Sequence, residues 1–227
     1  MMSYLKKTYK SVMVAFFAAL TILSVTSCDE HDAIDNGIHI GYILCSDHST
    51  MSVDEYLAQD RLTAVAVVFA EATEDHPTLA VMLEDNPALQ YTDSLGMDLG
   101  ASSSETAYNG FQNTSNMQNA YDPKTYHGSP LADYVYRSHK YGQSDYIPSV
   151  AEMRKLVVSV SAVNKVIERI GGTPISTEGK NGWYWTSTSV QANPQSQAWL
   201  CSMSTGGIQE TPQDEYHVSR GIVALNY

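Results

Sequence analysis

The sequence is poor in cations and in cysteine. It holds 13 lysine and arginine residues against 25 aspartate and glutamate residues, and its 227 residues carry a net charge of −12. Nucleic-acid binding needs clustered cations that neutralise phosphates, so this shortage predicts no nucleic-acid partner. The hydrophobic content of 43% excludes a disordered chain, and the length suits one globular domain or a domain with a tail.

Recognisable catalytic motifs are also missing. The histidines are scattered without the HExxH spacing of zinc hydrolases, and the sequence has no Gly-x-Ser-x-Gly turn or phosphate-binding loop. Carboxylates are plentiful, but most carboxylates on an acidic surface are simply solvated. These absences predict that the chain is not an enzyme and that it uses no metal or cofactor.

The N-terminal segment has the layout of a secretory signal peptide. Lys6, Lys7 and Lys10 precede an apolar run at Val12–Leu23. About 12 residues form roughly 18 Å of helix, which is short for a hydrocarbon core of about 30 Å. The run is therefore predicted to direct secretion rather than to span a membrane.

A lipid-attachment site follows the apolar run. The small residues before a cysteine at Val25–Cys28 resemble the bacterial lipobox, in which the cysteine sulfur is lipidated and the chain is cut before it. This resemblance implies a lipoprotein signal peptide at residues 1–27 and a lipid anchor to the membrane on Cys28. An ordinary signal peptide with a chance cysteine is the alternative.

Residues 28–36 form a predicted acidic tether. Asp29, Glu30 and Asp32 follow Cys28 and resemble the export signal of surface lipoproteins in Bacteroides-type bacteria. Because an anionic lipid surface repels an acidic protein, the lipid must hold the protein at the membrane. The predicted location is the outer membrane, facing the cell exterior. An acidic leader in the periplasm is the alternative.

Strand-like runs open and close the mature chain. The run at residues 63–70 is almost continuously apolar, which predicts a strand buried on both faces. The three tryptophans lie within Trp183–Trp199 and predict one compact aromatic core. The predicted strands span residues 38–45, 63–70, 78–83, 182–189, 198–203 and 217–225.

Helical patterns occupy the middle of the chain. Ser149–Ile170 begins with a Ser-x-x-Glu capping box, has apolar residues at helical spacing and precedes two glycines, so it predicts one helix or two. Residues 84–112 have no clear period and predict a long loop of the functional or mobile kind. Other helices are predicted within Met51–Asp60, after a cap at Asn113, and after Ser129-Pro130.

Cys45 and Cys201 are the cysteines that remain besides the lipid-attachment residue. A secreted protein can form a disulfide. Both residues nevertheless lie in apolar, strand-like stretches, where free cysteine behaves as a small buried hydrophobe. Two buried thiols are the favoured prediction, and a single bridge is the alternative.

Several short motifs occur in the order found in a family of bacterial surface domains. Tyr146–Met153 resembles its WYLPSxxEL segment, Tyr184–Thr188 its YWSST, Ala198-Trp199 its AW, and Ser219–Leu225 its closing VRPVRxF strand. The family is the Fibrobacter major paralogous, or Lcl C-terminal, type domain, and the resemblance covers residues 105–227. It implies an α+β, C-type-lectin-like fold with two helices packed on short, mostly antiparallel strands.

The beginning of the mature chain extends this resemblance. Gly41–Asp47 and Ala66–Phe69 are similar to the starts of gut Bacteroides-type members. The prediction is therefore a single C-type-lectin-like domain at residues 37–227 with an N-terminal strand extension. The sequence departs from the family at Gly221, which stands where the closing strand usually has proline. Arg220 is expected to pair with an acidic neighbour rather than to contact a ligand.

Calcium-dependent sugar binding is not implied, because the calcium-lectin triplets are absent. The nearest segment, Asn193-Pro194-Gln195, supplies amide oxygens without the charged oxygen ligands that calcium prefers. A lectin-like fold still presents recognition residues on loops. The candidate ligand-binding residues are Tyr184, Gln191, Asn193, Gln195, Gln197 and Tyr216. A second polar group comprises Gln209, Glu210, Gln213, Asp214 and Glu215.

Two functions from different classes fit these features. One is a lipid-anchored surface protein that binds carbohydrate or protein ligands, as an adhesin or a fimbrial accessory subunit. The other is a structural subunit of an outer-membrane assembly with no small ligand. An exposed concave aromatic site would favour the first function, and a flat apolar patch or an unpaired edge strand would favour the second.

Overall fold

The computed structural model describes residues 37–225 of the chain. The predicted signal peptide, the lipid-attachment residue Cys28 and the whole acidic tether lie outside the described residues. Four α-helices and antiparallel sheets make the described part an α+β protein, and residues from Ile38 onwards group into one structural unit. No helix within residues 37–225 is both long and apolar enough to cross a membrane.

Ten strands and four α-helices make up this part of the chain. The strands are β1 Ile43–Cys45, β2 Thr50–Met51, β3 Ala64–Ala70, β4 Thr78–Met82, β5 Asn86–Gln90, β6 Trp183–Ser189, β7 Gln197–Ser202, β8 Ile208–Pro212, β9 Tyr216–Ser219 and β10 Ile222–Leu225. The helices are α1 Val53–Leu57, α2 Gly110–Asn119, α3 Pro130–Ser138 and α4 Val150–Arg169.

The largest sheet has five strands in the order β10-β4-β3-β1-β2, all antiparallel to their neighbours. Every residue of β3 is buried, which confirms the prediction from its apolar sequence. Phe69 of β3 shares a core cluster with Leu156 of α4, whereas Val68 shares another with Leu44 and Val223. Because side chains alternate along a strand, helix α4 covers one face of the sheet and the other face packs separately.

Helix α4 is the longest helix, and its start and end were both predicted. The Ser149 hydroxyl accepts a hydrogen bond from the Glu152 N–H, and the Glu152 carboxylate accepts one from the Ser149 N–H, so the capping box forms. Gly171 follows the helix at φ +80°, a conformation that glycine adopts without strain. The helix is unbroken at Ser159, whose hydroxyl donates to the Phe69 carbonyl of β3.

Two of the other helix predictions are confirmed and one is wrong. Ser129 caps α3, and α1 lies within Met51–Asp60 as expected. Asn113, which was predicted as a cap, lies inside α2 and is buried. Its side chain accepts a hydrogen bond from the Ser102 N–H and donates to the Ser187 hydroxyl, so it ties α2 to neighbouring segments instead.

The predicted loop at residues 84–112 contains a regular strand. β5 pairs with β9 in a separate two-stranded sheet, with an irregular register between Asn86 and Leu89. This irregularity accommodates Pro87, which lacks a backbone donor. After β5, Tyr91 is fully buried and donates its hydroxyl to the Ser187 carbonyl at 2.9 Å. The segment is therefore partly structured, although its sequence has no period.

Two predicted strands have different boundaries in the structure, and β8 is not among the predicted strands. The predicted strand at residues 217–225 is divided between β9 and β10, which belong to different sheets, because the buried Arg220 interrupts it. β1 begins only at Ile43, because the chain turns at Gly41, which has φ +92°. β8 was missed, since its polar residues Gln209 and Glu210 were assigned to a loop.

The tryptophans do not form one core. Trp185 is fully buried and its indole N–H donates to the Leu89 carbonyl, and Trp183 packs against the same cluster. Trp199 is half-buried outside that cluster. Leu200 pairs with Trp185 across β6 and β7, so the preceding residue, Trp199, faces the opposite side of the sheet.

Cys45 and Cys201 are buried free thiols, which confirms the favoured prediction. Burial raises the pKa of the Cys201 thiol to about 11. Burial, together with the nearby Asp47 carboxylate, also raises the pKa of Cys45. Neither thiol is therefore activated as a nucleophile at neutral pH.

Candidate functional site

Tyr184 lies in the core and not on the predicted ligand-binding surface. It is fully buried in β6, where its hydroxyl donates to the Asp85 carboxylate and accepts a hydrogen bond from the Ser176 N–H. Burial and the adjacent negative charge raise the pKa of the Tyr184 phenol. This position corrects the prediction, because a ring enclosed on all sides stabilises the fold and cannot contact a ligand at the surface.

The other predicted residues lie at the surface in two places. Gln191, Asn193 and Gln195 are exposed in the turn between β6 and β7, and the half-buried Gln197 begins β7. The Asn193 amide donates to the Gln197 side-chain carbonyl at 3.1 Å. Tyr216 is 65% exposed at the start of β9. The structure therefore brings the four amides together and places Tyr216 in a different sheet.

Gln213 holds the amide-rich turn from beneath. Its side-chain N–H group donates to the carbonyls of Pro194 and Gln197, and its backbone N–H donates to the Ser196 carbonyl. Although Gln213 was predicted as part of an exposed polar group, it is fully buried. The turn is well supported, but its exposed amides carry no aromatic ring and no charge.

A second exposed region, which the sequence predictions missed, is a stretch of the chain that is rich in tyrosine. We call it the tyrosine face, and its rings are those of Tyr121, Tyr126, Tyr134, Tyr136 and Tyr141. Each of these side chains is more than a third exposed, and they follow one another closely along the chain. Clustered exposed tyrosines are typical of recognition surfaces, because the rings are large, rigid and amphipathic. Their density between residues 121 and 141 is the signal from which the sequence could have predicted this face.

The turn at residues 122–127 holds Tyr126 outward. The Asp122 carboxylate accepts hydrogen bonds from the Lys124 N–H and the Thr125 hydroxyl, which lower the pKa of Asp122. The backbone of Asp122 also pairs with that of His127. Tyr126 has φ +62° and is 74% exposed. A non-glycine residue held in this sparsely populated conformation, with its ring left in solvent, indicates a functional position.

Helix α3 carries charged side chains next to this turn. Its apolar residues Leu131, Ala132 and Val135 are buried against the core. Its polar residues Asp133 and Arg137 are one turn apart and form an ion pair at 2.8 Å. The periodicity of the helix therefore fixes the charged pair on the solvent side of α3.

A cleft of about 440 Å³ lies between the turn and the helix. We call it the α3 cleft; Tyr121 and Tyr126 supply aromatic rings, and Asp93, Asp133 and Arg137 supply charges. Its remaining lining residues are Gln118, Gly128, Ser129 and Pro130. Its volume is in the range of small-ligand sites, about 300–1,000 Å³. The arrangement can stack a flat ligand face and accept hydrogen bonds on carboxylate oxygens.

The most buried carboxylate belongs to the fold and not to this cleft. Glu152 is 2% exposed, and its carboxylate accepts hydrogen bonds from the Ser149 N–H and the Tyr146 hydroxyl. Burial raises the pKa of Glu152, and these accepted hydrogen bonds oppose the rise. The helix-capping contacts of Glu152 explain its position without a catalytic role.

The described residues also contain no recognisable metal centre. Within residues 37–225, no group of three or more histidine, cysteine, aspartate or glutamate side chains could hold a metal ion. The chain matches no model of a known protein family and no curated protein. The geometry of the α3 cleft is therefore the basis for assigning a function.

Proposed function

We propose that the chain is a lipid-anchored cell-surface binding protein that recognises carbohydrate in the α3 cleft. The observation that carries this proposal is Tyr126, whose ring is 74% exposed on a strained turn beside a carboxylate-lined cleft. A rigid tyrosine ring loses little conformational entropy when a ligand packs on it. The proposed activity is binding without catalysis, as expected for an adhesin or a fimbrial accessory subunit.

A neutral carbohydrate fits the chemistry of the cleft. The apolar face of a sugar ring packs on an exposed aromatic ring, and sugar hydroxyls donate hydrogen bonds to carboxylates such as Asp93 and Asp133. Arg137 adds donors for ligand oxygen atoms. A strongly anionic glycan is disfavoured, because the chain carries a net charge of −12.

The proposed fold is C-type-lectin-like, of the Fibrobacter major paralogous or Lcl C-terminal type. The positions of the motif segments support this kinship. The segment at Tyr146–Met153 leads into α4, and those at Tyr184–Thr188 and Ala198-Trp199 lie on the paired strands β6 and β7. The closing motif begins at the last residue of β9 and includes all of β10, which pairs with β4. The helical Ser149–Ile170 stretch is also what the kinship requires.

The proposed location is the outer membrane, with lipid on Cys28 and the folded domain facing the cell exterior. The acidic residues Asp29, Glu30 and Asp32 support export to the surface. Protease treatment of intact cells tests this proposal, and we expect it to digest the domain. A domain that survives until the cells are lysed would instead lie in the periplasm.

An array of glycans and host proteins, probed with the full chain in detergent, tests the binding function. We expect a glycan signal that Tyr126→Asn abolishes, because asparagine tolerates positive φ but has no aromatic ring. Tyr136→Ala is the matched control, since Tyr136 is also exposed on the tyrosine face but does not line the α3 cleft. Silence on the glycan array, or equal losses in the two variants, would contradict carbohydrate binding at Tyr126.

A structural subunit of an outer-membrane assembly is the second candidate, and strand β8 favours it. β8 lies at the end of the three-stranded sheet, next to β7. Its outer edge has no partner strand within the described residues and is therefore open to a strand of another subunit, although the exposed Glu210 and Pro212 weaken such pairing. A protein signal on the array that Gln209→Pro abolishes would support assembly through this edge. A glycan signal that survives Gln209→Pro would exclude β8 from ligand recognition.

A further inference from the structure

A second cleft, of about 230 Å³, is lined by different side chains of α3. We call it the Asp145 cleft; Tyr134 of α3, Glu84, Lys140, Tyr141 and Asp145 line it. Asp85, Ser138 of α3, the end of β4 and the starts of β3 and β5 also line it. Its volume is below the range of about 300–1,000 Å³ for drug-sized ligands, so it suits one end group of a ligand.

Asp145 is an acidic group with incomplete hydrogen bonding. Asp145 is 6% exposed, and its Oδ1 atom is enclosed by the protein and has no hydrogen-bond partner within the described residues. The Nε2 atom of His139 lies 3.5 Å from this oxygen but is 2.9 Å from the Asp145 backbone carbonyl, which is the better hydrogen-bond acceptor for it. Burial raises the pKa of Asp145, and His139 and Lys140 oppose the rise. A buried acceptor without a donor costs about 1–3 kcal/mol.

The surrounding chain is closely fitted to this carboxylate. A Cβ atom on Gly221 would lie 2.9 Å from the Asp145 Oδ2 atom and 3.2 Å from the Met82 Cγ atom. A residue with a side chain at position 221 would therefore displace Asp145. The family that the sequence resembles has proline at position 221. Glycine at this position leaves room for the buried Asp145 carboxylate.

Aromatic rings and a further acid flank Asp145. Tyr134 and Tyr141 are 39% and 51% exposed, and Tyr141 is held at φ +54°. The faces of tyrosine rings attract cations. Glu84 adds an exposed negative charge at the cleft, whereas Lys140 adds a positive one. The cleft therefore combines three carboxylates and two rings with one lysine, and of these carboxylates Asp85 is already paired with Arg220.

We propose that the Asp145 cleft binds a primary ammonium group, of a lysine-type side chain or of an amino sugar, between Tyr134 and Tyr141 and next to the Asp145 carboxylate. An ammonium group carries a positive charge, which the carboxylates that line the cleft attract, and it has three hydrogen-bond donors. The net negative charge of the chain also draws cations to it. This site goes beyond carbohydrate binding in the α3 cleft and does not depend on it.

Calorimetric titration of the full chain in detergent tests the proposal. The two probes are Nα-acetyl-lysine methylamide and glucosamine, each paired with its N-acetylated, uncharged counterpart. We expect at least one ammonium probe to bind more tightly than its acetylated counterpart, and this difference to disappear in Asp145→Asn, because a neutral sugar can still enter the α3 cleft. The probe that shows the difference identifies the source of the group. Absence of binding by both ammonium probes at millimolar concentration would overturn the proposal.

Three variants locate the binding. Asp145→Asn keeps the shape but removes the charge, and should weaken binding by about tenfold or more. Lys140→Gln should strengthen binding severalfold, because it removes the competing cation. Asp133→Asn, in the α3 cleft, is the matched control and should leave ammonium binding unchanged.

Unchanged affinity in Asp145→Asn would overturn the site. If that variant does not fold, Tyr141→Asn tests the same cleft from the surface, since asparagine accepts positive φ, and unchanged affinity there would be equally decisive. Glycan binding should persist in Asp145→Asn and fall in Asp133→Asn. This crossed pattern separates failure of the ammonium site from failure of the proposed carbohydrate function.

Discussion

The interior around Arg220 and the tyrosine face use polar side chains in opposite ways. The Arg220 guanidinium is fully buried and donates to the Met82 and Thr173 carbonyls and to the Asp85 carboxylate, at 2.7 to 2.8 Å. The rings of the tyrosine face are exposed, and the ion pair beside them lies near solvent. Polar groups with fixed internal partners hold the chain in register, whereas groups left at the surface remain available to a ligand.

Replacing Arg220 should produce the largest change in stability. Arg220→Met leaves the Met82 and Thr173 carbonyls without this donor and the Asp85 carboxylate without its charge partner, so we expect the free energy of unfolding to fall by about 3–5 kcal/mol. Urea denaturation measures this change. Arg137→Gln removes an exposed ion pair and should cost less than about 1 kcal/mol. Equal losses in the two variants would show that burial does not distinguish these arginines.

The comparison between buried and exposed groups also applies to the chemical reactivity of the cysteine thiols. Because burial raises the pKa of Cys201 to about 11, the folded protein has little thiolate at pH 8. Its reaction with a thiol reagent at that pH should be about a hundredfold slower than the reaction of an ordinary cysteine, and enclosure slows it further. The absorbance of the group that the reagent releases measures how many of the two thiols have reacted. Fast reaction before urea is added, or fewer than two free thiols from Cys45 and Cys201 afterwards, would contradict their assignment as buried and free.

Two helices begin with the same capping box, and replacing the capping serine should have a smaller effect on stability in each case. Ser149 caps the buried helix α4 and also donates to the Ala107 carbonyl, whereas Ser52 makes the same capping box on α1, which has no buried residue. We expect Ser149→Ala to lower the free energy of unfolding by about 1–2 kcal/mol, and Ser52→Ala by about 0.5 kcal/mol. Thermal denaturation of the two variants tests this order. Equal shifts in melting temperature would mean that the burial of a helix does not determine how much its N-cap residue contributes to stability.

Tyr126→Asn should have the smallest effect on stability and a large effect on binding. The ring buries little surface and the backbone conformation suits asparagine, so the free energy of unfolding should change by less than about 0.5 kcal/mol. Affinity for the glycan found on the array should fall by about tenfold or more, as for an aromatic residue at a binding hot spot. Denaturation and calorimetry on one sample measure both quantities. A stability loss comparable to that of Arg220→Met would place Tyr126 in the fold instead of the site.

The parts of the fold that follow local signals could be predicted from the sequence. Helix α4 is specified by the capping serine at Ser149, by apolar residues at helical spacing and by Gly171 at its end, all within one continuous segment. Strand β3 is specified by an unbroken apolar run. Neither prediction required knowledge of a distant partner.

The parts that depend on distant contacts could not be predicted in this way. The division between β9 and β10 follows from Arg220, which meets Asp85 and Thr173 only in the folded chain. β5 is a strand because it pairs with β9. Tyr184 and Tyr126 show the same limit for the site, because one tyrosine is enclosed and the other is exposed although both lie in polar, aromatic stretches.

Hydrogen–deuterium exchange of the full chain, with and without the glycan found on the array, is the most direct test of the central claim. That claim is that ligand recognition occurs at the tyrosine face. It predicts that the ligand slows amide exchange at residues 118–137 and leaves residues 191–197 and 216–219 unchanged. Protection of the amide-rich turn and β9, with no change at residues 118–137, would contradict it.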